Sequence, residues 1–149
     1  MTKKQRKERA VLLLAYSLIS QYRDSLIYNN KDNLYDLKLK RLVKQLDLIA
    51  KSFANKKIER FLVERISKVD VTEVEIDPFL VAFYLLEILF KTNKVDFNLN
   101  IKDIVEVREA LENTTELKAN SLNYAISLYE SINPESKGFL EFFKLRRMQ

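Results

Sequence analysis

The sequence predicts an all-α protein that folds as a single domain over residues 1–149. Only one residue is glycine and two are proline, so residues that interrupt helices are rare. The stretch Phe79–Phe90 carries Glu87 as its only formal charge. It is longer than a typical strand and shorter than the roughly 20 apolar residues that span a bilayer. A helix that is apolar on all sides must be enclosed, so we expect a bundle of about seven helices around this buried core helix.

The composition restricts the chemistry that this chain can perform. It contains no cysteine, which excludes disulfides and thiolate metal sites. It also contains no histidine, which removes the commonest metal ligand and the usual general base. Glu106 and Glu109, three residues apart on one helix face, are the best candidates for metal ligands, but no second such motif accompanies them. We therefore expect no enzyme activity, no cofactor and no metal.

Charge is distributed unevenly along the chain. Residues 1–9 hold five basic and one acidic side chain, and residues 38–68 hold ten basic and three acidic ones. Residues 70–116 reverse this balance with four basic and eleven acidic side chains. The asymmetry indicates one surface for polyanions and another that could meet a basic protein, or else solvated helix faces of uneven sign.

The first predicted helix runs from about Lys4 to Ile27. Its first half, Ala10–Tyr16, is apolar all round, and Tyr22 and other later residues keep helical spacing. The basic residues at its start oppose the helix dipole. Phosphate contacts would explain this placement, and an ordinary solvated tail is the alternative. The basic residues of this arm are Lys3, Lys4, Arg6, Lys7 and Arg9.

The basic start leads directly into this helix without a small-residue cleavage site, which indicates no signal peptide. We expect a cytoplasmic protein that has no membrane partner.

Two further helices precede the core helix. After a polar break at 29–33, apolar residues recur at helical spacing from Leu34 to Phe53. The complementary positions are basic, so this helix either extends a phosphate-binding track or presents a solvated face. Asn55 opens a third amphipathic segment that ends near Val69. The basic residues of the second helix are Lys38, Lys40, Arg41, Lys44 and Lys51.

The core helix begins at Asp77 and Pro78, since aspartate caps helices and proline is tolerated in the first turn. Within it, Glu87 must have a partner or reach the surface, because burying an unpaired charge is costly.

Three more helices follow the core helix. The first extends from Ile101 to Leu111, and 113–116 forms a turn with a candidate cap. The second extends from Leu117 to Tyr129 and is closed by Asn133 and Pro134. An extra C-terminal helix, at about residues 135–147, ends in two arginines.

The order of these features resembles the NusB family of transcription antitermination factors. That family opens with a basic arm and an alanine- and leucine-rich helix that ends near a tyrosine, as Arg6–Tyr16 does. An aspartate then begins an apolar helix that closes with an acidic residue between leucines, and Asp77–Leu89 is similar. A valine in a polar connection, an isoleucine-started helix rich in acids and alanines, and an asparagine in an apolar helix follow. Their counterparts are Val95, Ile101–Leu111 and Asn123.

The resemblance covers roughly residues 4–132 and implies two three-helix sets around the core helix. It also implies a function: NusB-like proteins bind the boxA segment of nascent ribosomal RNA together with NusE, a small-subunit ribosomal protein. The complex then helps RNA polymerase ignore terminators. The segment 112–121 departs from the family, because it lacks the family's glycine and has Ser121 in place of an aromatic residue. Tyr124 replaces the glycine that follows the asparagine.

The resemblance also suggests roles for single residues. The arm would neutralise phosphates of single-stranded RNA. Tyr16 would stack on an unpaired base, or else belong to the core. Glu87 would lie on the face near RNA and NusE, or be a structural carboxylate with a partner. Asn123 would contact RNA, although a buried hydrogen bond in helix packing is favoured for this residue.

Two other functions fit the sequence. One is a NusB-fold RNA-binding module that serves another process, such as the domain that precedes the catalytic domain in some ribosomal RNA cytosine methyltransferases. Gly138 is the only glycine, so no glycine-rich nucleotide-binding loop accompanies it here. The other function is a helical adaptor that binds only protein and uses the segregated charge for that contact.

Overall fold

The computed structural model describes residues 2–29, 35–53, 56–66, 75–93 and 97–134. These ranges contain six α-helices and no strand, which confirms the all-α prediction. In chain order the helices are α1 (Lys3–Asn29), α2 (Tyr35–Phe53), α3 (Lys56–Ile66), α4 (Pro78–Asn93), α5 (Ile101–Glu112) and α6 (Lys118–Ile132).

These six helices match the first six predicted ones in order, and their ends differ by a few residues. Helix α4 continues to Asn93, three residues beyond the end of the apolar run that was used to predict it. Other predicted features lie outside the described residues. They are the extra C-terminal helix at about 135–147, the end of the third helix at 67–69, Val95 and the side chain of Tyr22.

Helix α4 forms the centre of the bundle. Every residue from Phe79 to Leu89 is buried, and Phe90 is half-buried. Helices α1, α5 and α6 all pack against α4. Each large apolar side chain enclosed in this way contributes about 1.5–3 kcal/mol relative to exposure. The prediction of an enclosed core helix is therefore confirmed.

Asp77 caps the N-terminus of α4, as predicted. Its Oδ1 accepts hydrogen bonds from the backbone N–H groups of Phe79 at 3.1 Å and Leu80 at 3.3 Å. Pro78, the first helical residue, has no N–H that would need a partner. The N–H of Asp77 donates to Oγ of the buried Ser121 at 2.9 Å. This bond fixes the start of α4 against the first turn of α6.

Helices α1 and α2 form an antiparallel hairpin. The hydroxyl of Tyr16 donates to Oδ1 of Asp47 across the two helices. Tyr16 lies thirteen residues before the end of α1 at Asn29, and Asp47 lies twelve residues after the start of α2 at Tyr35. These nearly equal separations are expected only when the two helices run in opposite directions from a short connection.

Helix α5 packs against α2, and two ion pairs connect them. Lys38 pairs with Glu106, and the guanidinium Nη1 of Arg41 lies 3.9 Å from Oδ2 of Asp103. From Lys38 to Arg41 the chain advances three residues along α2, whereas their partners step back three residues along α5. These two helices are therefore also antiparallel.

The turn predicted at 113–116 connects α5 to α6. The N–H of Asn113 donates to the carbonyl of Glu109 at 3.3 Å and closes α5. Leu117 is the N-cap residue of α6, and among the described residues no side chain caps the helix there. Instead Oγ1 of Thr115 accepts a hydrogen bond from the N–H of Leu117 at 3.1 Å. The Thr115 hydroxyl therefore orders the connection between α5 and α6 but does not cap α6.

Candidate nucleic-acid interface

The five basic residues of the arm occupy the first two turns of α1. Lys3 and Lys4 are exposed, whereas Arg6, Lys7 and Arg9 are half-buried. Lys3, Lys4 and Arg6 have no carboxylate within ion-pair distance among the residues that the structure describes. These three cations therefore have no ion pair within the described part of the bundle, although Glu8 lies one turn from Lys4 and interacts with its charge.

A reciprocal capping interaction orders the first turn of α1. The N–H of Gln5 donates to Oγ1 of Thr2 at 3.1 Å, and the N–H of Thr2 donates to Oε1 of Gln5 at 3.0 Å. This arrangement is a capping box, which satisfies two backbone donors at a helix start. The arm is consequently helical from Lys3 and presents its cations on a rigid element.

The register of the hairpin decides which elements lie near the arm. Arg9 is seven residues before Tyr16, so it lies about 10 Å further along α1 at 1.5 Å per residue. Helix α2 runs the opposite way and ends at Phe53, about 9 Å beyond Asp47. The first two turns of α1 therefore reach the end of the bundle at which α2 stops.

Helix α3 starts at the same end of the bundle. Lys56 follows Phe53 by three residues, so at most about 11 Å separates their Cα atoms. Helix α3 also packs against α1. Lys56, Lys57 and Arg60 are exposed, and Lys51 is exposed in the last turn of α2. We call the cations at this end the basic end: Lys3, Lys4, Arg6, Lys7, Arg9, Lys51, Lys56, Lys57 and Arg60.

Three acidic residues in the same segments reduce this charge only partly. Asp47 pairs with Lys51 at 3.0 Å, and this hydrogen bond raises the pKa of the Lys51 ammonium. Glu59 is exposed in the first turn of α3. Burial raises the pKa of the Glu8 carboxyl, while the nearby charges of Lys4 and Arg9 act in the opposite direction. Within residues 1–9, 47–51 and 56–60, nine basic side chains stand against three acidic ones.

Tyr16 is half-buried and packs against the hydrophobic core. Its hydroxyl donates to Asp47, which also accepts the Lys51 ion pair. The ring packs against the core and the hydroxyl is hydrogen-bonded to Asp47. These contacts favour the core interpretation of Tyr16 over base stacking.

Glu87 is fully buried and has partners for both carboxylate oxygens. Nε of Arg108 donates to Oε2 at 2.9 Å, and Nη2 of Arg108 donates to Oε1 at 3.0 Å. Nζ of Lys91 lies 3.1 Å from Oε1. Of the two predicted alternatives for Glu87, a partner or a position at the surface, the structure shows the partner. Its carboxylate would have to be uncovered before it could contact RNA or a protein.

Arg108 connects Glu87 to a second carboxylate. Its Nη1 donates to Oε1 of Glu112 at 3.0 Å, and the hydroxyl of Tyr84 donates to the same oxygen at 2.8 Å. Nζ of Lys118 lies 3.4 Å from Oε2 of Glu112. Burial opposes the charge on Arg108, but hydrogen bonds and charges from Glu87 and Glu112 outweigh it and raise the pKa of the guanidinium.

The sequence interpretation did not identify Arg108 as this partner. A signal was present, because Arg108 lies one turn after Ile104 and next to Val107 on the apolar face of α5. An arginine on the apolar face of one helix and a glutamate in a fully apolar helix are natural partners.

Asn123 is exposed on α6, so the favoured interpretation of a buried packing residue is wrong. The buried positions nearby are Ser121, Leu122, Ala125 and Ile126, which leaves Asn123 on the solvent side of the helical turn. Its backbone carbonyl accepts a hydrogen bond from Oγ of Ser127 at 3.0 Å. Contact with RNA through Asn123 stays a prediction.

The two glutamates considered as metal ligands face cations instead. Glu106 forms the ion pair with Lys38, and Oε1 of Glu109 lies 4.0 Å from Nη2 of Arg108. Within the described ranges, no group of three or more acidic side chains is arranged to hold a metal ion.

Comparisons with known proteins leave the family undetermined. No family model matches the chain, and neither a search of curated proteins nor a search of solved structures gave a significant match. Among the helices that the structure describes, none is both long and apolar enough to cross a membrane.

Proposed function

We propose that this protein is a NusB-like transcription antitermination factor, which binds boxA-type single-stranded RNA together with NusE in a complex with RNA polymerase. The basic end is the RNA-binding surface, with Lys3, Lys4 and Arg6 as its central contacts. The proposal requires no catalytic step and no cofactor.

One observation carries the RNA-binding part of this proposal. Cations from three helices meet at one end of the bundle, and Lys3, Lys4 and Arg6 have no carboxylate within ion-pair distance among the described residues. Such a cluster raises the local potential and attracts polyanions. Lysine and arginine that neutralise phosphates release counterions, which makes binding favourable at low salt.

The test measures binding of a fluorescent boxA-type RNA at increasing salt. The triple variant Lys3→Ala/Lys4→Ala/Arg6→Ala should bind more weakly, and its log–log salt slope should be smaller by about 2, at about 0.7 for each lost phosphate contact. The matched control removes three exposed cations elsewhere, in Lys40→Ala/Lys44→Ala/Lys102→Ala. Equal losses in the two triple variants would mean that net charge, and no particular surface, governs binding.

A second set of measurements tests the partner and the biological role. NusE should increase the affinity for boxA-type RNA and should do so less for a shuffled RNA of equal composition. Transcription through a terminator should increase when the protein, NusE and boxA are all present. Sequence-specific RNA binding without any effect of NusE would favour the NusB-fold module that serves another process. No RNA binding at about 50 mM salt would favour the protein-binding adaptor.

A further inference from the structure

A second surface lies along the solvent side of α2. Leu37 and Leu48 are 66% and 64% exposed, although other leucines of α2 are buried in the core. They are eleven residues apart, which is close to three helical turns, so both leucines point in the same direction. Lys40, Arg41 and Lys44 lie between them on the same face. We call these five residues the α2 stripe.

The charges of the α2 stripe are largely available to a partner. Lys40 and Lys44 are exposed and have no ion-pair partner among the described residues. The Arg41 side chain is 62% exposed, and its contact with Asp103 is long at 3.9 Å. An anionic group above the stripe would therefore meet three cations.

Two of the exposed large hydrophobic side chains belong to the α2 stripe. In the part of the chain that the structure describes, the exposed large hydrophobic side chains are Leu37, Leu48 and Ile101. Ile101 begins α5, close to Asp103, which the Arg41 guanidinium approaches. At about 3.6 residues per turn, Ile101 lies roughly 160° around α5 from Asp103, so it faces away from α2 and is not part of the α2 stripe.

The composition of the α2 stripe distinguishes between classes of partner. It contains no aromatic ring on which an RNA base could stack. Two leucines, separated by about 16 Å along the helix axis, form too small an apolar face to hold a helix in a bilayer surface. An amphipathic helix of a partner protein has one apolar face and one charged face, so it can cover the leucines and pair with the cations between them.

We propose that the α2 stripe binds an acidic amphipathic helix of a partner protein. Apolar side chains of that helix cover Leu37 and Leu48, and its carboxylates pair with Lys40 and Lys44. The ion pairs set the orientation of the partner, and the leucines exclude water at the two ends of the contact. This proposal uses a different set of residues from the RNA-binding proposal: Leu37 lies near the opposite end of α2 from the basic end, and Leu48, three residues before Lys51, is not one of its cations.

The experiment uses a synthetic helical peptide of about 20 residues, long enough to span the stripe at 1.5 Å per residue. It carries two leucines eleven residues apart with glutamates between them, and a fluorescent label reports binding to the full chain. Leu37→Ser/Leu48→Ser and Lys40→Gln/Lys44→Gln should each weaken binding about tenfold or more, because each removes one half of the contact. Both pairs are exposed, so circular dichroism and the melting temperature should match the parent protein.

The matched control is Lys56→Gln/Lys57→Gln, which removes two exposed lysines from the basic end. It should leave peptide binding unchanged and weaken RNA binding, whereas the α2 stripe variants should do the reverse. A second control replaces the glutamates of the peptide by glutamine, and this peptide should bind at least about tenfold more weakly.

Several outcomes would overturn the proposal. The first is no peptide binding by the parent protein, and the second is an equal loss in the Lys56→Gln/Lys57→Gln control. A third is an α2 stripe variant that loses RNA affinity instead, which would make the stripe part of the RNA track. Stripe-dependent binding to phosphatidylserine vesicles would identify a membrane surface. Self-association that the leucine variant abolishes, measured by sedimentation, would identify a second copy as the occupant.

Discussion

The Arg108 guanidinium binds the Glu87 carboxylate through two parallel hydrogen bonds of 2.9 and 3.0 Å. Both side chains are buried, and the pair joins the central helix α4 to α5. A bidentate pair of this kind is geometrically specific, and losing one partner leaves the other charge buried. We therefore expect Glu87 to contribute mainly to the stability of the fold and not to ligand binding.

Replacing Glu87 should be strongly destabilising. Glu87→Gln keeps the size of the side chain but leaves Arg108 with less compensation, so the free energy of unfolding should fall by about 3 kcal/mol. Urea denaturation measures this change. Glu109→Gln is the control, because that carboxylate is exposed and its distance to the Arg108 guanidinium is long, at 4.0 Å. This substitution should change the free energy of unfolding by less than about 0.5 kcal/mol. A Glu87→Gln protein as stable as the parent would contradict the assigned role of the pair.

Ser121→Ala should weaken the attachment of α6 to the start of α4. The variant removes the only described acceptor of the Asp77 N–H and should cost about 1–2 kcal/mol in the free energy of unfolding. Ser127→Ala on the same helix is the control, since Ser127 is exposed and its described hydrogen bond goes to a carbonyl of its own helix. Thermal denaturation should rank the two variants in this order, and equal melting temperatures would refute the role of Ser121.

Tyr16→Phe tests whether the Tyr16 hydroxyl serves the fold through Asp47 or contacts RNA. The variant removes the hydrogen bond to Asp47 and should lower the free energy of unfolding by about 1 kcal/mol, while an aromatic ring remains in place. RNA affinity should stay within about twofold of the parent, since phenylalanine stacks as tyrosine does. Tyr124→Phe on α6 is the control, because the described residues offer its hydroxyl no partner. A large loss of RNA affinity with unchanged stability would instead assign the Tyr16 hydroxyl to the RNA site.

Glu8→Gln should strengthen RNA binding. Glu8 is the only acid among residues 1–9, and removing its repulsion should improve affinity about twofold at neutral pH. The pKa of the Glu8 carboxyl is raised above its usual 4.5. The neutral carboxyl of Glu8 is therefore favoured by the folded state. Its stabilising contribution is fully present below pH 4.5 and is lost as pH rises through the raised pKa. At neutral pH, Glu8→Gln should be slightly more stable than the parent.

Acidification provides the control for this prediction. As pH falls toward the raised pKa, Glu8 of the parent protein becomes neutral, so the two proteins should converge in both RNA affinity and stability. A ratio of affinities that stays constant from pH 7 down to about 4, below the usual pKa of a glutamate carboxyl, would show that the glutamine acts through something other than charge.

Lys56→Ala/Lys57→Ala tests whether α3 belongs to the RNA-binding surface. These exposed lysines should each supply about 0.7 to the log–log salt slope if both contact phosphates. RNA titrations at several salt concentrations measure this slope. Lys102→Ala, which removes an exposed lysine of α5, should leave it unchanged.

The enclosed core helix and the cap at Asp77 could be predicted because both depend on local sequence. An apolar helix without a polar face needs enclosure wherever it lies in the chain. An aspartate before a proline caps a helix by accepting hydrogen bonds from the backbone N–H groups two and three residues later. The exposure of Asn123 could not be predicted in this way. Its neighbours in α6 are apolar on more than one side, so spacing alone did not indicate which side faces the core.

The sequence by itself determined that this protein is helical, where its six described helices lie, and that Glu87 must have a partner or reach the surface. Those properties follow from spacing, capping residues and the cost of burying a charge, all of which act over a few residues. Only the tertiary structure decided that Arg108 is that partner, that the arm and α3 meet at one end, and that Leu37 and Leu48 are exposed. Contacts of this kind join residues far apart in the chain, and helix register and packing select them from many combinations that local spacing equally allows.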